Sequence, residues 1–578
     1  MSTPAKPQNV CAGCRSRKKK CNGARPACSA CVKRGELCVY GSDLTGAPPI
    51  SWALAAAAAD QPWHALSGDS DEHAGFPLGL SGEQLWMGLD GGYQIDTAHG
   101  LPSPQPQKSP SLSDDPRGEE LPALATLLQI VDVFFERFYP YLPVVHRPTL
   151  EWRLQLPDEA SPVLLHAICA VAAGAHPDRD VQRRQGDWFA AAKANLSRSM
   201  HSPERALQTM QAAVLVIYQA TVETDFSTAW LVLGEAWRKA VAIGCSAVDV
   251  DAGATMTMPA LGAGPGDGWV EREECRRVVW TLFVLDRGMC FPLGLVHAVD
   301  DRQLRLNLPM DDAAFQDEDE PAQAKTQGRF SPDLKKLIST VQGQQQQHRS
   351  TNNILHCLVL AYALLGRVGE QLYSSQLGDD ASGRLEDLPS DLSHVRLVMP
   401  ASATDLSAAE YQDHGRVVWI RIVMSACAIL VHHRSLRDGE GGDESAMAAN
   451  WPLCVAAARG TASVIRQTAL VSTNYADNGQ MTALLFMCCR VIITEHLCPL
   501  SGARSAAVRD DLEVLLLAIR RMRDTLKKLG EKFTRGVVFY LSGGRERAAA
   551  ARALGAWGVL RTCEKWPTVD IDDMRIPP

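Results

Sequence analysis

Apolar residues recur at helical spacing through most of this chain of 578 residues. From Leu121 onward they fall three and four residues apart, which places them on one face of a helix that Pro140 ends. The same periodicity predicts further helices at 161–175, 204–220, 227–243, 271–290, 351–372, 415–433, 452–468, 480–497 and 505–530. Long loops are predicted at 246–270, 310–350 and 374–412. Because strand-like alternation is nearly absent, residues 121–578 are predicted to form an all-α body.

The segment before this body has a different composition. Residues 41–120 contain 20 Gly or Pro residues, and twelve acidic residues against two basic ones, Lys108 and Arg117. This composition is typical of a disordered acidic linker. Within it, residues 69–90 mix acids with Phe, Leu, Trp and Met, as in activation segments that fold onto a coactivator or corepressor. A plain tether with incidental apolar residues explains this stretch equally well.

Six cysteines stand close together near the start of the chain: Cys11, Cys14, Cys21, Cys28, Cys31 and Cys38. They repeat one pattern twice, a CxxC pair followed by a third cysteine after six residues. A CxxC pair can place two thiolates on one metal ion, so each half offers three ligands. Four-coordinate zinc needs four ligands, and six cysteines satisfy two zinc ions only if two sulfurs bridge them. The spacing therefore predicts a binuclear metal cluster.

A framework of three disulfides is an alternative use of six cysteines in a short module. The first residues, MSTPAKPQNV, have no apolar segment of the kind that directs secretion, and eleven further cysteines are scattered singly. Of these, Cys169, Cys245 and Cys427 stand among apolar residues, which predicts buried core thiols. No histidine occurs in the first forty residues, so a zinc module with histidine ligands is disfavoured as well.

Charge separates the cysteine-rich module from the rest of the chain. Residues 1–40 hold nine basic residues and one acidic residue, Glu36, whereas the whole chain carries a formal charge of −8. The basic residues concentrate in the run RSRKKK at 15–20. Such polarisation predicts one local site for a polyanion, and neutralised phosphates make binding steeply salt-dependent. The same run also satisfies a nuclear localisation signal, so a nuclear protein is expected.

This module resembles the fungal Zn2Cys6 binuclear cluster DNA-binding domain. The likeness extends beyond the cysteines to Arg15, Lys18, Lys20, Pro26 and Tyr40. It implies two Zn²⁺ ions as cofactors, and a short helix that reads a CGG-type triplet in double-stranded DNA.

The resemblance also assigns roles to individual residues. Cys11 and Cys28 would be the two bridging ligands. Lys18 is the leading candidate for a base contact, with Arg17 beside it, because lysine and arginine donate well to guanine O6 and N7. The candidates for phosphate contacts are Arg15, Lys19 and Lys20.

Four segments of the body resemble the fungal-specific transcription factor domain, or middle homology region: 134–148, 230–244, 276–287 and 294–309. One departure stands in the last of them, where Gly294-Leu295-Val296 replaces the Gly-Arg-Pro that is frequent in the family. The resemblance covers residues 121–310 and implies a regulatory domain. Many members of the family govern a metabolic or secondary-metabolite gene set.

The body offers no recognisable catalytic motif. A P-loop, HExxH, GxSxG and a Rossmann fingerprint are all missing, so the chain is predicted not to be an enzyme. Asp286 and Arg287 are predicted to form a structural ion pair, and His146 is predicted to pack or to cap a helix. Neighbouring Cys488 and Cys489 lie in an apolar run and are predicted to fill the core.

Membrane insertion and coiled-coil pairing are not predicted either. The longest apolar stretch, Val417 to Val431, contains Arg421 and is shorter than the roughly 18 residues of a membrane helix, which predicts a soluble intracellular chain. After Tyr40, Pro48-Pro49 interrupts the sequence before any heptad repeat, so homodimerisation stays open. Gln344 to Gln347 are interpreted as a low-complexity linker.

The sequence therefore predicts a small Zn2Cys6 zinc-cluster module (1–40), joined by a disordered acidic linker (41–120) to a large all-α regulatory domain (121–578). The predicted function is that of a sequence-specific transcription factor for RNA polymerase II genes. The alternative is a chromatin-bound adaptor or repressor whose helical body is a protein-interaction platform. A small-molecule effector held among the helices is an expectation from fold-level analogy alone.

Overall fold

The computed structural model describes residues 120–553 together with Cys21, Ser29, Lys33, Trp566, Met574, Ile576 and Pro577. Within 120–553 the description omits 157–158, 251–256, 267, 293–294, 318–327, 348–352, 375–386, 434–443 and 472–473. The chain divides into two compact units, Met1–Gly79 and Leu80–Pro578, and the helices below belong to the second. The predicted disordered linker lies outside the described residues, apart from Glu120.

The described residues are helical almost throughout. The longer helices are α1 (Leu124–Val133), α2 (Arg147–Leu154), α3 (Pro162–Ala172), α4 (Arg179–Arg183), α5 (Gln185–Ser199), α6 (Ala206–Val222), α7 (Phe226–Ala242), α8 (Trp269–Cys290), α9 (Asp312–Phe315), α10 (Leu334–Gln347), α11 (Ile354–Ser374), α12 (Leu388–Val398), α13 (Ala401–Thr404), α14 (His414–His432), α15 (Glu444–Gln467), α16 (Thr482–Leu497), α17 (Ala506–Leu526), α18 (Lys528–Ser542) and α19 (Gly544–Ala553). A π-helical turn, Phe134–Phe138, extends α1. Short 3-10 turns include Cys245–Ala247, Asp301–Gln303 and Tyr411–Asp413. In the part of the chain described, β-structure is limited to one isolated bridge between Asn307 and Arg329, which confirms the all-α prediction for the body.

The core of the body is built on two helices that are buried on nearly every side. Helix α6 packs against α3, α5 and α7, and helix α14 packs against α11, α15 and α16. Helices α16, α17 and α18 contact one another at the C-terminal end. Since a helix that is apolar all round must be enclosed, these contacts explain why α6 and α14 lack a polar face.

Two helical stretches are long and apolar enough to cross a membrane by length and composition, Tyr411–His432 and Gly479–Leu497. In the most apolar window of each, 94% and 83% of the residues are buried inside the body. Burial in a protein core accounts for their composition.

Most predicted helices are present, with ends displaced by a few residues. The prediction over 505–530 is wrong, because the chain forms two helices there that are separated at Lys527. Lys527 has a φ of +44°, which a helix interior does not tolerate. The prediction that α15 begins near Pro452 is also wrong. The helix starts at Glu444 and contains Pro452 in its interior. Proline usually stands in the first turn of a helix, so a start near Pro452 was predicted too late in the chain.

Two of the predicted loops contain helices. Helix α10 lies within 310–350, and helix α12 lies within 374–412. Gln344 to Gln347 form the last turn of α10, so the linker interpretation of these four residues is wrong. Helices α4 and α5 also lie where the periodicity predicted no element.

Candidate nucleic-acid interface and the buried ion-pair network

The predicted zinc ligands are represented in the described structure by one residue, Cys21, whose side chain is half-buried. In the same module, the backbone N–H of Lys33 donates to the carbonyl oxygen of Ser29 at 3.2 Å, which closes one helical turn. The other predicted site residues lie outside the described residues: Cys11, Cys14, Cys28, Cys31, Cys38, Arg15, Arg17, Lys18, Lys19 and Lys20. Their roles stay predictions.

The chemistry of the donor set fits zinc, and the cysteines of the body provide a contrast. Ten cysteines described in the body are all buried, as predicted for Cys169, Cys245 and Cys427. Burial raises the pKa of Cys169 and of Cys427 to about 12. Zinc binds the thiolate, so buried thiols that hold their protons are poor ligands. Among the described residues, no group of three or more His, Cys, Asp or Glu side chains is placed to hold a metal ion.

The first half of helix α8 carries four charged residues that are fully buried: Glu273, Glu274, Arg276 and Arg277. The Nε of Arg277 donates to Glu273 at 2.8 Å, one helical turn away. Arg276 pairs with Glu273 as well, and with Asp249 at 2.7 Å. Buried charges are tolerated when they are paired and hydrogen-bonded, and Glu273, Arg276 and Arg277 meet that condition together.

Asp312 joins this cluster to helix α14. Its carboxylate accepts from Arg277 at 2.5 Å and also pairs with Arg416. Arg416 in turn donates to the carbonyl oxygen of Pro140 at 2.8 Å. Burial would raise the pKa of Asp312, but the guanidinium groups of Arg416 and Arg277 outweigh it and hold the pKa at about 2. The Asp312 carboxylate is therefore a permanent anion that connects two helices.

Glu274, the last of these four buried residues to be described, contacts the segment before α2. Its Oε1 accepts from the backbone N–H of His146 at 3.0 Å. Burial is the main cause that raises the pKa of Glu274. The ring of His146 caps α2 by accepting from the backbone N–H of Thr149 at 3.3 Å. This confirms the prediction that His146 packs or caps.

At the far end of α8, Asp286 and Arg287 form a buried pair at 2.8 Å. Asp286 accepts from the backbone N–H groups of Ala298 at 3.1 Å and Val299 at 3.0 Å. Arg287 donates to the carbonyl oxygen of Val299 at 2.9 Å. Both the Asp286 carboxylate and the Arg287 guanidinium therefore have hydrogen-bond partners within the body, which confirms the prediction of a structural ion pair. Cys488 and Cys489 are both fully buried, which confirms that they fill the core.

These contacts bring together the segments that sequence resemblance singled out. Helix α8 binds 139–146 through Arg277 and Glu274, and binds 298–312 through Asp286, Arg287 and Glu273. An open cleft of about 350 Å³ adjoins Asp312 and Arg416, with Phe135 and Tyr411 among its lining residues. Because the charges are paired with one another, the arrangement stabilises the joint between helices and leaves no activated nucleophile.

Sequence reasoning missed Asp249, Asp312 and Arg416, because their partners stand far away in the chain. The available signal was the run EREECRR at 271–277. Charges at intervals of three and four residues, just before an apolar helix, indicate that the helix requires buried partners.

Residues 9–46 match the family described as the fungal Zn(2)-Cys(6) binuclear cluster domain. Residues 131–382 match the fungal specific transcription factor domain, which includes α8 and its ion-pair network. These two matches define the class: proteins that combine a fungal zinc-cluster domain with a fungal specific transcription factor domain. This chain matches both domain models, and the relatives that it resembles are named as transcription factors.

Two relatives are similar over about half of this chain. The azaphilone cluster-specific transcription factor azaR of Aspergillus niger is 25% identical over 54% of this chain and 63% of its own length. The citrinin biosynthesis transcriptional activator mrl3 of Monascus ruber is 22% identical over 53% of this chain and 64% of its own length. The oleate activated transcription factor 3 of Kluyveromyces lactis is 53% identical over 38 residues, which are 7% of this chain and 6% of its own. The chain thus spans less than two thirds of these relatives. No solved structure matches it.

Proposed function

We propose that this protein is a nuclear, sequence-specific transcription factor that reads a CGG-type triplet in double-stranded DNA. The observation that carries the proposal is the match of residues 9–46 to the binuclear cluster family, in which a basic run stands between the second and third cysteines. Nine basic residues against one acidic residue in 1–40, on a chain of net charge −8, support a local contact with phosphates.

The six module cysteines would hold two Zn²⁺ ions, with Cys11 and Cys28 bridging them. Zinc supplies folding energy to a module of this size, because forty residues cannot bury a sufficient core. The chain's own contribution is the basic run, in which Lys18 and Arg17 face bases while Arg15, Lys19 and Lys20 hold the phosphates. Phosphate contacts fix register, and base contacts give specificity.

Two lysine substitutions test this division of roles. Lys18→Ala should weaken binding to the preferred duplex by roughly tenfold while binding to a random duplex stays almost unchanged, since one base contact discriminates by about 1–3 kcal/mol. Lys20→Ala should weaken binding to both duplexes by the same factor and lower the salt dependence by about one unit. Equal, sequence-independent losses from both substitutions would contradict the division.

The regulated genes are proposed to belong to a biosynthetic or other metabolic gene set. Two relatives that align with half of this chain carry biosynthetic clusters or pathways in their names, azaphilone and citrinin. The helical body would regulate, and the acidic segment 69–90 would recruit a coactivator or corepressor. The open cleft beside Asp312, of about 350 Å³, would have room for a small effector.

A fusion separates this reading from that of a chromatin-bound adaptor. Residues 41–578 joined to a foreign DNA-binding domain should activate a reporter that carries the foreign site. Repression or silence of that reporter would favour the adaptor or repressor. The same fusion in a two-hybrid format measures homodimerisation, which the sequence leaves open.

A further inference from the structure

Helices α17 and α18 meet in a corner that is strongly basic. Residues 520–535 contain seven basic and two acidic residues. The whole stretch 121–578 holds 47 basic and 53 acidic residues, so the corner differs in sign from the body that carries it. A local excess of positive charge on an acidic body is a candidate surface for a polyanion.

The backbone holds this corner tightly. Lys527 separates the two helices with a φ of +44°, outside the helical range. Gly530 then approaches α17 so closely that a Cβ would lie 2.6 Å from the backbone nitrogen of Arg523 and 2.7 Å from the carbonyl oxygen of Met522. Arg520, Arg521 and Lys527 are exposed around this fixed turn.

Several basic side chains of the corner have partners within the body. Lys528 pairs with Glu223 at 2.8 Å, and Arg535 pairs with Glu531 at 3.6 Å. Lys532 lies over the ring of Phe226 at 5.6 Å. These three residues therefore stabilise the body.

Arg523 pairs with its neighbour Asp524 at 3.4 Å. The other three cations lack such partners among the described residues. Across the described part of the chain, no carboxylate pairs with Arg520, Arg521 or Lys527, and Arg520 makes one long hydrogen bond, 3.4 Å, to the carbonyl oxygen of Met574. A helix macrodipole favours cations within its last turn, but Arg520 and Arg521 precede the last turn of α17. Local structure thus does not account for this cluster, which we call the basic corner: Arg520, Arg521 and Lys527.

We propose that the basic corner contacts the phosphate backbone of the duplex to which the zinc module binds, as a second, sequence-independent DNA contact. The inference rests on the proposed DNA-binding function. The chain's own acidic segment is the competing occupant, but its twelve acids are spread over residues 41–120. Duplex DNA presents a negative charge about every 1.7 Å, which suits three exposed cations within eight residues of the chain.

The length of the connecting segment sets the reach of this contact. If residues 41–120 form the flexible linker that their composition predicts, a chain of about 80 residues has a root-mean-square end-to-end distance of about 50 Å. At about 3.4 Å per base pair, this distance corresponds to roughly 15 base pairs. The corner should therefore add affinity only on duplexes that extend well beyond the triplet.

The test uses the full-length, zinc-loaded protein and two fluorescent duplexes that share one CGG triplet, of about 16 and about 60 base pairs. The variant Arg520→Gln/Arg521→Gln/Lys527→Gln removes the basic corner. The matched control Arg329→Gln/Lys335→Gln/Lys336→Gln removes three other exposed cations and the same net charge.

On the long duplex, the corner variant should bind roughly tenfold more weakly than the control, and its dependence of log affinity on log salt should fall by about 0.9 for each lost phosphate contact. On the short duplex the two variants should agree within about twofold. Equal affinities of the two variants on the long duplex would overturn the proposal. This is also the result expected if the basic corner binds the acidic segment of the chain and not DNA. Equal losses on both duplexes would overturn it too. If the wild type binds the long duplex but not the short one, the zinc-module proposal fails, whereas weaker binding of the corner variant to the long duplex would still uphold the basic corner. Binding to neither duplex would overturn both proposals.

Discussion

Asp312 is the carboxylate that joins a buried arginine of α8 to a buried arginine of α14. It lies between two arginines from different helices, Arg277 on α8 and Arg416 on α14, and both guanidinium groups are almost completely buried. Each arginine has other acceptors, but Asp312 is the carboxylate that they share. A buried pair of this kind contributes little by forming, yet its loss leaves uncompensated charge in the core.

Replacing Asp312 by Asn should therefore destabilise the body strongly. We expect the free energy of unfolding to fall by about 3 kcal/mol, the lower end of the range for a broken buried pair, since the Asp312 side chain is 18% exposed. Chemical denaturation of the full-length protein, followed by far-ultraviolet circular dichroism, measures the change. Asp300→Asn is the matched control, because Asp300 pairs with the exposed Arg302 at the surface, and its unfolding curve should overlay the wild type.

The stability difference between the wild type and Asp312→Asn is also predicted to depend on pH. The pKa of Asp312 is lowered to about 2 in the folded protein, against an ordinary value of 3.8. Its ionised form therefore stabilises the fold above about pH 4, and this contribution is lost as the pH falls toward 2. The difference in unfolding free energy between wild type and Asp312→Asn should shrink across that interval. A difference that stays constant with pH would show that Asp312 does not act through its charge.

At the scale of elements, the corner between α17 and α18 depends on Gly530. The short approach of Gly530 to Arg523 and Met522 leaves no room for a side chain. Because the obstructing atoms belong to the backbone, they cannot rotate away as a flexible side chain would.

Gly530→Ala should lower the free energy of unfolding by about 1–3 kcal/mol, as overpacked sites do. The matched control is Gly343→Ala on α10, where an added Cβ meets nothing within 4 Å. That control should leave stability unchanged or raise it by up to about 1 kcal/mol, since alanine favours a helix. Thermal denaturation of both variants checks the pair, and similar melting temperatures for the two would contradict the steric argument.

Elements whose apolar faces dominate their sequence could be predicted from periodicity. Helices α3, α6 and α14 have almost no polar surface, so their signal was strong. Helix α10 was missed although Leu334, Leu337, Ile338 and Val341 are buried at helical spacing, because lysines and glutamines surround them. The break at Lys527 could not be predicted, since a lysine with positive φ carries no local sequence signal.

The residues of the candidate site also differ in how far the sequence alone predicts their contacts. The pairing of Asp286 with Arg287 could be predicted because the two are neighbours in the sequence. Arg277, Asp312 and Arg416 are spread over 140 residues, and a single sequence does not show that they meet. The six cysteines could be predicted as a cluster because coordination chemistry fixes their spacing within one short module.

At the scale of the whole molecule, charge is distributed by function. The cysteine module is basic, the segment 41–120 is acidic, and the body carries 47 basic and 53 acidic residues with a local basic excess at the basic corner. This polarity favours local contacts with a polyanion over general adhesion of the whole surface. The proposed reading of DNA depends on a folded metal cluster.

The most direct test of that cluster is the metal content of the intact protein, measured by native mass spectrometry after purification without added chelator. The account predicts two zinc ions per chain. It also predicts that a Cys28→Ala variant loses both ions and loses sequence-specific DNA binding, because a bridging ligand serves both ions. A single zinc ion per chain, or six module cysteines oxidised to disulfides without zinc, would contradict it.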